Sequence, residues 1–310
     1  MNIKTLSNFL RVAEIGTLKG AAVAVNIAQP ALTRQITLLE QSFGAQLFTR
    51  HRRGMALTDA GEQLRSHAER IISEMEQAHD AVSAIAQEPT GTISLGLPTS
   101  MLYVLSAHVV SAYVKTYPNV FLKVHEAIGH VVEELLRARR VDIAILIASA
   151  RNLDNVEMTP LLNENVYLAG PPDAGLDQNV PVAVTYLAEV PMILLAPQNH
   201  LRLHIEKELA AHDLQLRKTL EVEGQPLVLD LMKRGVGYTI LPHCAVQAEM
   251  AAGNISAAPI NGITITWTLA VNRARAQSPA IRALIQFIRE ALDERIASGD
   301  WQASAVDAGT

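Results

Sequence analysis

The residues whose types and spacing suggest specific chemistry lie close together near the N-terminus. Gln29, Thr33 and Arg34 stand at helical spacing, and Gln35 and Thr37 follow within one turn. A Gln amide can pair with adenine through two hydrogen bonds, an Arg guanidinium can pair in the same way with guanine, and Thr offers a methyl and a hydroxyl group to thymine or phosphate. On one short helix, this set predicts contacts with the base edges of duplex DNA.

A second cluster is strongly basic. Arg50, Arg52 and Arg53 surround His51, and guanidinium groups bind phosphate oxygens in a fork, so these side chains suit the DNA backbone or the minor groove. Residues 1–65 carry eight Lys and Arg against four Asp and Glu, a net charge of +4, which leaves −9 for the rest of the chain out of a total of −5. This asymmetry is expected where only the N-terminal region approaches a polyanion.

Enzymatic and metal sites are weaker interpretations of the remaining candidates. His200 and His204 are four residues apart and could share a metal ion, with His212 nearby, but no carboxylate–histidine motif accompanies them. Cys244 has no partner at motif spacing, and the stretch 235–237 lacks the third glycine of a dinucleotide fingerprint. We therefore expect no enzyme, no metal site and no cofactor, but surface or helix-capping histidines, a small buried cysteine and a tight turn.

The N-terminal sequence pattern predicts three short helices and a wing. Thr17 is placed as the N-cap of the second helix, Asn26 suits a left-handed turn before the third, and Pro30 suits the first turn of the third. Two short strands joined by the basic cluster complete a winged helix-turn-helix. The expected helices span residues 3–15, 17–25 and 29–42, and the strands lie within 46–57.

From residue 58 onward the pattern predicts a long helix with a regular apolar stripe. Apolar residues recur at alternating steps of four and three, a spacing typical of a coiled-coil seam. An amphipathic helix packed on its own domain is the alternative. We favour the seam, which requires a second copy of the chain, and therefore expect a homodimer. The seam consists of Leu64, Ala68, Ile71, Met75, Ala78, Val82 and Ile85.

Beyond a linker at 88–91, strands and helices alternate. The strand–helix–strand–helix–strand pattern over 93–147 is typical of a parallel sheet covered on both faces. A less regular unit follows, with a last strand over 263–271, a last helix over 279–297 and a loose tail over 301–310. One cysteine, no visible signal peptide and no stretch long enough to span a membrane predict a cytoplasmic protein without membrane contact.

The chain resembles the LysR-type transcriptional regulators over residues 1 to about 295. The resemblance rests on Ala28-Gln29-Pro30-Ala31-Leu32-Thr33-Arg34-Gln35-Ile36, on Leu47-Phe48-Thr49-Arg50 and on Leu57-Thr58-Asp59-Ala60-Gly61. Val271-Asn272-Arg273-Ala274 resembles the nitrogen-assimilation-control branch in particular. One position departs from the pattern: the family usually has Ser before the Gln-Pro pair, and Ala28 supplies no capping oxygen.

The resemblance implies an α/β architecture with a winged helix-turn-helix, a dimerising linker helix and hinge, and an effector-binding domain. That domain would consist of two Rossmann-like lobes of periplasmic-binding-protein topology, with the chain crossing near Leu161-Leu162 and Thr266-Thr268. The implied domains are 1–58, 59–90 and 91–310, with lobe I at about 91–161 and 267–298 and lobe II at about 162–266.

The resemblance also implies a regulator that binds inverted repeats in double-stranded DNA as a homodimer or homotetramer, with RNA polymerase as a further partner. A transport binding protein would require a signal peptide, and a purely architectural DNA binder would not need some two hundred residues of acidic α/β structure. The residues expected at the DNA are Thr17, Gln29, Pro30, Thr33, Arg34, Gln35, Thr37, Arg50, Arg52 and Arg53.

A small-molecule effector would bind beyond the carboxyl ends of the strands. Thr99 and Ser100 stand there, directly before a helix whose free N–H groups favour an anion or a carbonyl; plain N-capping is the alternative for each hydroxyl. An apolar Ile128 disfavours a charged effector. The branch also includes members thought to act without an effector, so a cleft that binds no ligand is an alternative. The expected contacts are Thr99, Ser100, Ile128, Gly129, Gln198, Asn199, His200, Gly224 and Gln225.

Overall fold

The computed structural model describes residues 2–51, 54–86, 89–148, 153–211 and 213–306. They form two compact units, residues 1–82 and 83–310. Within the described residues, no helix is both long and apolar enough to cross a membrane.

The first unit contains the three predicted short helices, the wing and most of the long helix. Thr17 caps the second helix by accepting a hydrogen bond from the Gly20 amide, and Asn26 adopts a φ of 52° in the turn before the third. The helix-turn-helix and the wing are therefore confirmed. The elements are α1 (Ile3–Ile15), α2 (Leu18–Ala24), α3 (Gln29–Phe43), β1 (Phe48–His51), β2 (Gly54–Leu57) and α4 (Asp59–Ala86).

A shared apolar core fixes α3 against α1 and the wing. Phe9 and Leu32 are fully buried, and the Phe9 ring packs against Phe48 with centroids 5.3 Å apart. Glu40, near the end of α3, accepts hydrogen bonds from the Leu47 and Phe48 amides at 2.9 and 3.3 Å. Because the Glu40 carboxylate binds the backbone at the start of the wing, it fixes the position of the wing relative to α3.

Helix α4 has two parts with different surroundings. Leu64 and Ala68 are buried in the core of the first unit, so these two predicted seam residues pack against their own domain, as in the alternative interpretation. Ile71, Met75 and Val82 are 39, 50 and 70% exposed, and Ala78 is also exposed, so the stripe open to a partner begins at Ile71. The side chain of Ile85 lies outside the described part of the chain.

The second unit is an α/β assembly around a mixed sheet. Its strand order is β11-β6-β10-β5-β3-β4, with β9 also paired to β6, and β7 and β8 form a separate parallel pair. The parallel order β4-β3-β5 with α5 and α6 in the crossovers confirms the predicted alternation. The elements are β3 (Gly91–Pro98), α5 (Ala107–Thr116), β4 (Val120–Ala127), α6 (Gly129–Arg137), β5 (Ile143–Ile147), β6 (Val156–Gly170), β7 (Pro191–Leu195), α7 (His200–Ala210), β8 (Arg217–Val222), α8 (Gln225–Lys233), β9 (Thr239–Pro242), α9 (His243–Ala251), β10 (Ser256–Asn272), α10 (Pro279–Ala297) and β11 (Ala303–Ala305).

Two long strands run through this unit. β6 and β10 pair antiparallel, with a register shift where Trp267 faces Leu162 and Thr268 faces Pro160. This irregularity lies at the predicted crossing points. The helix predicted over 101–117 differs in detail, because α5 is preceded by a 3-10 turn (Thr99–Met101) and a π-helical segment (Leu102–Ser106).

The predicted loose tail is wrong for the part of it that the structure describes. Trp301 is 1% exposed, and β11 pairs with β6 through Ala303–Glu164, Ser304–Asn163 and Ala305–Leu162. Burial of a large aromatic side chain together with strand pairing outweighs the entropy of a free terminus.

Candidate DNA-binding surface and regulatory cleft

The outer face of α3 is polar and open. Gln29, Pro30, Arg34 and Thr37 are exposed, and Thr33 is half-buried between them. Leu38 and Gln41 are exposed on the same face. The predicted base-contacting residues, apart from Gln35, therefore share one accessible surface.

Gln35 has a contact within the protein that the sequence did not indicate. Its Oε1 accepts a hydrogen bond of 2.6 Å from Nδ2 of Asn8, which is 4% exposed on α1. Gln35 is itself half-buried because it faces α1. This hydrogen bond holds α3 against α1, and the assignment of Gln35 as a DNA-contacting residue stays a prediction.

The start of α3 lacks a side-chain cap. Ala28 occupies the N-cap position in an extended conformation and provides no capping hydrogen bond, as the sequence predicts. By contrast, Thr17 caps α2 with its oxygen and keeps its hydroxyl proton available for donation.

The wing is described only in part. Arg50 lies in β1 opposite Met55, although its side chain is outside the described part, and Arg52 and Arg53 are outside it altogether. His51 is exposed, with Nε2 3.1 Å from Oγ1 of Thr49. The basic wing tip consequently stays a prediction.

A narrow cleft of about 50 Å³ lies in the second unit, where strands end and helices begin. Gln198, on an exposed turn, and Gly224, which supplies the backbone N-cap of α8, do not line it. Sequence reasoning missed Glu223, next to Gly224, and Trp267, within the predicted crossing at 266–268. Of the nine expected effector contacts, seven line the cleft: Thr99, Ser100, Ile128, Gly129, Asn199, His200 and Gln225.

Two helices that begin at the cleft have no side-chain cap. Ile128 and Gly224 are the N-cap residues of α6 and α8, and neither provides a capping hydrogen bond. Pro242, the N-cap residue of α9, provides none either, but the Cys244 amide in the first turn of α9 donates to the Glu164 carboxylate. Asn199, in contrast, caps α7 by accepting from the Leu201 and Arg202 amides. Uncapped helix starts present free N–H groups and the positive end of the helix dipole.

One side-chain contact connects α6 and α7 beside the cleft. Nε2 of His200 lies 3.1 Å from Oε2 of Glu133, whose other oxygen pairs with Arg137 at 2.7 Å. His204 points elsewhere, with Nε2 3.0 Å from the Thr264 carbonyl oxygen. The two histidines therefore do not converge on a metal. Among the described residues no group of three or more His, Cys, Asp or Glu could hold a metal ion, and His212 lies outside them.

Because the same folds serve many functions, the assignment of this chain to a family rests on its sequence matches. Residues 3–62 match the lysR-family bacterial regulatory helix-turn-helix protein, and residues 86–293 match the LysR substrate binding domain. The chain belongs to the LysR family of transcriptional regulators. It is a DNA-binding transcriptional regulator with an effector-binding domain, and its relatives are regulators rather than enzymes.

Individual relatives agree with this assignment. The nitrogen assimilation regulatory protein nac of Klebsiella aerogenes is 29% identical over 293 residues, covering 94% of each chain, and that of Escherichia coli is 28% identical over 294 residues, 93% of this chain and 95% of the other. These two support the resemblance to the nitrogen-assimilation-control branch. Full-length CbnR in complex with its target DNA shares the fold with a TM-score of 0.66 at 21% identity, covering 94% of this chain and all of the other.

Proposed function

We propose that this regulator binds an inverted-repeat DNA site as a homodimer, in which each copy of α3 reads one half-site, and that a small molecule in the cleft modulates its action. We propose RNA polymerase and a second dimer of the same chain as further partners of the protein. The observation that carries it is the exposed polar face of α3, held rigidly against the wing by Glu40. A recognition helix must be both accessible and fixed to read bases.

On this surface Gln29, Thr33, Arg34 and Thr37 contact base edges, and Pro30 packs beside them. Arg34 is the principal reader, because a guanidinium forms two hydrogen bonds with guanine. Thr17 and the wing arginines Arg50, Arg52 and Arg53 contact phosphates, which position the protein without reading sequence.

The exposed stripe of α4 supports the dimer. Ile71, Met75, Ala78 and Val82 leave apolar surface in water on a helix that is otherwise strongly charged. A second copy of α4 packed against this stripe would bury that surface, and it would place two copies of α3 on one duplex.

The cleft favours a neutral effector with a carbonyl oxygen. Uncapped helix starts attract negative partial charge. Its lining contains the carboxylate of Glu223 but no Lys or Arg among the described residues, which disfavours a full negative charge. The hydroxyls of Thr99 and Ser100 supply further hydrogen bonds. A carbonyl oxygen accepts hydrogen bonds from the helix N–H groups and from the two hydroxyls, and it places no negative charge beside Glu223.

The DNA-reading role is tested by selecting binding sites from random duplexes with the full chain. Gel shifts then compare the wild type with Arg34→Ala and with Arg11→Ala, a control on α1 whose exposed arginine pairs with Glu14. We expect Arg34→Ala to weaken specific binding by roughly 1–3 kcal/mol and to relax preference at one base pair per half-site. Equal weakening on random DNA would contradict the role of Arg34.

The wing role has a different signature. Replacing Arg52 and Arg53 together by Ala should lower affinity for all sequences and reduce the slope of log affinity against log salt, because fewer counterions are released. An unchanged slope would exclude the wing from phosphate contact.

The effector role is tested by thermal-shift screening of neutral carbonyl metabolites against the full chain. A true effector raises the melting temperature in proportion to the logarithm of its concentration above Kd. Gly129→Leu is the matched blocking variant, because a side chain at position 129 meets no neighbouring atom within 4 Å and would extend into the cleft. We expect Gly129→Leu to fold normally and to lose the shift. A shift that persists in this variant would place the ligand elsewhere.

A further inference from the structure

Two indole groups from distant parts of the chain bind one buried carboxylate. Glu164 lies on β6 and is 1% exposed. Its Oε2 accepts a hydrogen bond of 2.5 Å from Nε1 of Trp267 on β10, and its Oε1 accepts one of 2.6 Å from Nε1 of Trp301 in the C-terminal segment. The Cys244 amide, in the first turn of α9, donates to the same Oε1 at 2.6 Å.

The hydrogen-bond donors to Glu164 are the two indoles, the Cys244 amide and the Cys244 thiol, and all four are neutral. A buried carboxylate normally requires a cation, yet no Lys or Arg among the described residues pairs with this one. Burial raises the pKa of Glu164 to about 7, and the four hydrogen bonds act in the opposite direction. Burial of this carboxyl group is costly, and its hydrogen bonds offset part of that cost.

The titratable groups around Glu164 carry no charge near neutral pH. Burial raises the pKa of the Cys244 thiol well above its ordinary value and also raises that of the Tyr167 phenol. Burial lowers the pKa of His243, next to Cys244 on α9, to about 4. Among Glu164, Cys244, Tyr167 and His243, only Glu164 is therefore expected to change its charge near pH 7.

The two indoles belong to different functional parts of the unit. Trp267 lines the cleft. Trp301 begins the segment that continues into β11, whose pairing with β6 includes Glu164 itself, and the neighbouring Gln302 accepts a hydrogen bond from the Tyr167 hydroxyl at 2.5 Å. Glu164 is the direct connection between the cleft wall and the docked C-terminal segment.

We propose that Glu164 is a positioning residue, which sets the Trp267 ring at the cleft and ties it to the docked C-terminal segment 301–305, so that a displacement of either indole is transmitted to the other. This inference rests on the proposed role of the cleft for its functional meaning. The hydrogen-bond geometry that it requires does not depend on any ligand.

A carboxylate suits this role and a carboxamide does not. Both oxygens of Glu164 accept hydrogen bonds, whereas a Gln has one oxygen and one NH₂ donor. In Glu164→Gln, the oxygen retains the two bonds from Trp301 and Cys244, and the NH₂ group faces the Trp267 indole N–H. The two donors repel each other, so the Trp267 ring must move while the Trp301 ring stays.

The experiment uses the full chain labelled with ¹⁵N-tryptophan. The sequence has two Trp residues, so the spectrum contains two indole N–H signals, assigned with Trp301→Phe. Between pH 5.5 and 8.5, we expect both signals to move with a single shared midpoint. In Glu164→Gln, we expect this movement to be lost, the Trp267 signal to be displaced and the Trp301 signal to stay close to its wild-type position.

Glu157→Gln, an exposed change on the same strand, is the matched control and should retain both titrations. Different midpoints for the two indoles, titration that persists in Glu164→Gln, or equal displacement of both indoles would overturn the proposal, because a general loosening moves both. Should Glu164→Gln not fold, Trp301→Phe keeps the ring and removes one donor, and it should displace the Trp267 signal. An unmoved Trp267 signal there would also overturn the proposal.

None of these outcomes depends on DNA or effector binding, so the proposed function stands or fails separately.

Discussion

Ala28 leaves the first turn of α3 without a side-chain oxygen, although α3 carries the residues proposed to read DNA. Replacing Ala28 with Ser should restore the cap and raise the free energy of unfolding of the first unit by about 1 kcal/mol. Urea unfolding followed by circular dichroism measures this change. Ala31→Ser, an exposed change inside the same turn, is the control, and Ser there should be neutral or slightly destabilising. Equal effects of the two serines would mean that the N-cap position is not special.

Two buried groups give opposite contributions to the pH dependence of stability. The raised pKa of Glu164, from 4.5 to about 7, means that the folded state binds more protons than the unfolded state in this window, so stability falls as pH rises. The lowered pKa of His243, from 6.5 to about 4, has the reverse sign, so stability rises with pH between about 4 and 6.5.

Thermal unfolding across pH 4.5 to 6.5 separates the two groups. Relative to the wild type, Glu164→Gln should show a steeper rise in stability with pH, and His243→Gln should show a shallower rise or a fall. Parallel pH profiles for wild type and either variant would show that the replaced group has the same pKa in the folded and unfolded states.

At the scale of elements, α4 illustrates how one regular pattern can serve two purposes. The apolar steps of four and three continue unbroken from Leu64, but the first two positions complete the core of the first unit and those from Ile71 onward are exposed. The periodicity of a single sequence identifies an apolar face. It does not reveal whether that face meets its own domain or another chain.

Substitutions along α4 should separate these two purposes. Ile71→Glu or Met75→Lys should dissociate the dimer and leave each chain folded, whereas Leu64→Ala should destabilise the first unit by about 2–5 kcal/mol. Sedimentation velocity measures the first effect and denaturant unfolding the second. Ser66→Asp, exposed on the opposite side of α4, should change neither. An intact dimer in both charged variants would place the interface elsewhere.

Local patterns predicted helices well and long strands poorly. The bounds of α1 and α10 follow from apolar spacing together with Gly and Pro. β6 and β10 extend well beyond their apolar centres, because pairing between residues about a hundred positions apart holds polar residues such as Asn163 in the sheet. Such non-local partners leave no periodic signal.

The candidate sites show the same division. Turns between strands and helices were visible in the sequence, which is why most expected effector contacts line the cleft. Trp267 was missed, because its position depends on Glu164. Spacing alone also does not show that Asn8 binds Gln35 from behind.

For the molecule as a whole, the C-terminal segment is part of the second unit and not an appendage. Trp301→Ala should reduce the free energy of unfolding of this unit by about 3–5 kcal/mol, because it leaves a cavity and also removes a donor from a buried carboxylate. Trp301→Phe should cost less, since it keeps most of the buried ring. Denaturant unfolding compares them, and a loss below about 1 kcal/mol for Ala would show that the segment is dispensable.

The cleft of about 50 Å³ has room for water but not for a metabolite. Under the proposed function, we therefore expect the walls to separate when the cleft is occupied, and this movement would load the Glu133–His200 contact between α6 and α7. The observed affinity then equals the intrinsic affinity reduced by the fraction of molecules already open. A compound small enough to enter the closed form would bind without changing the fraction of open molecules. Such a compound would bind without altering the regulator's action.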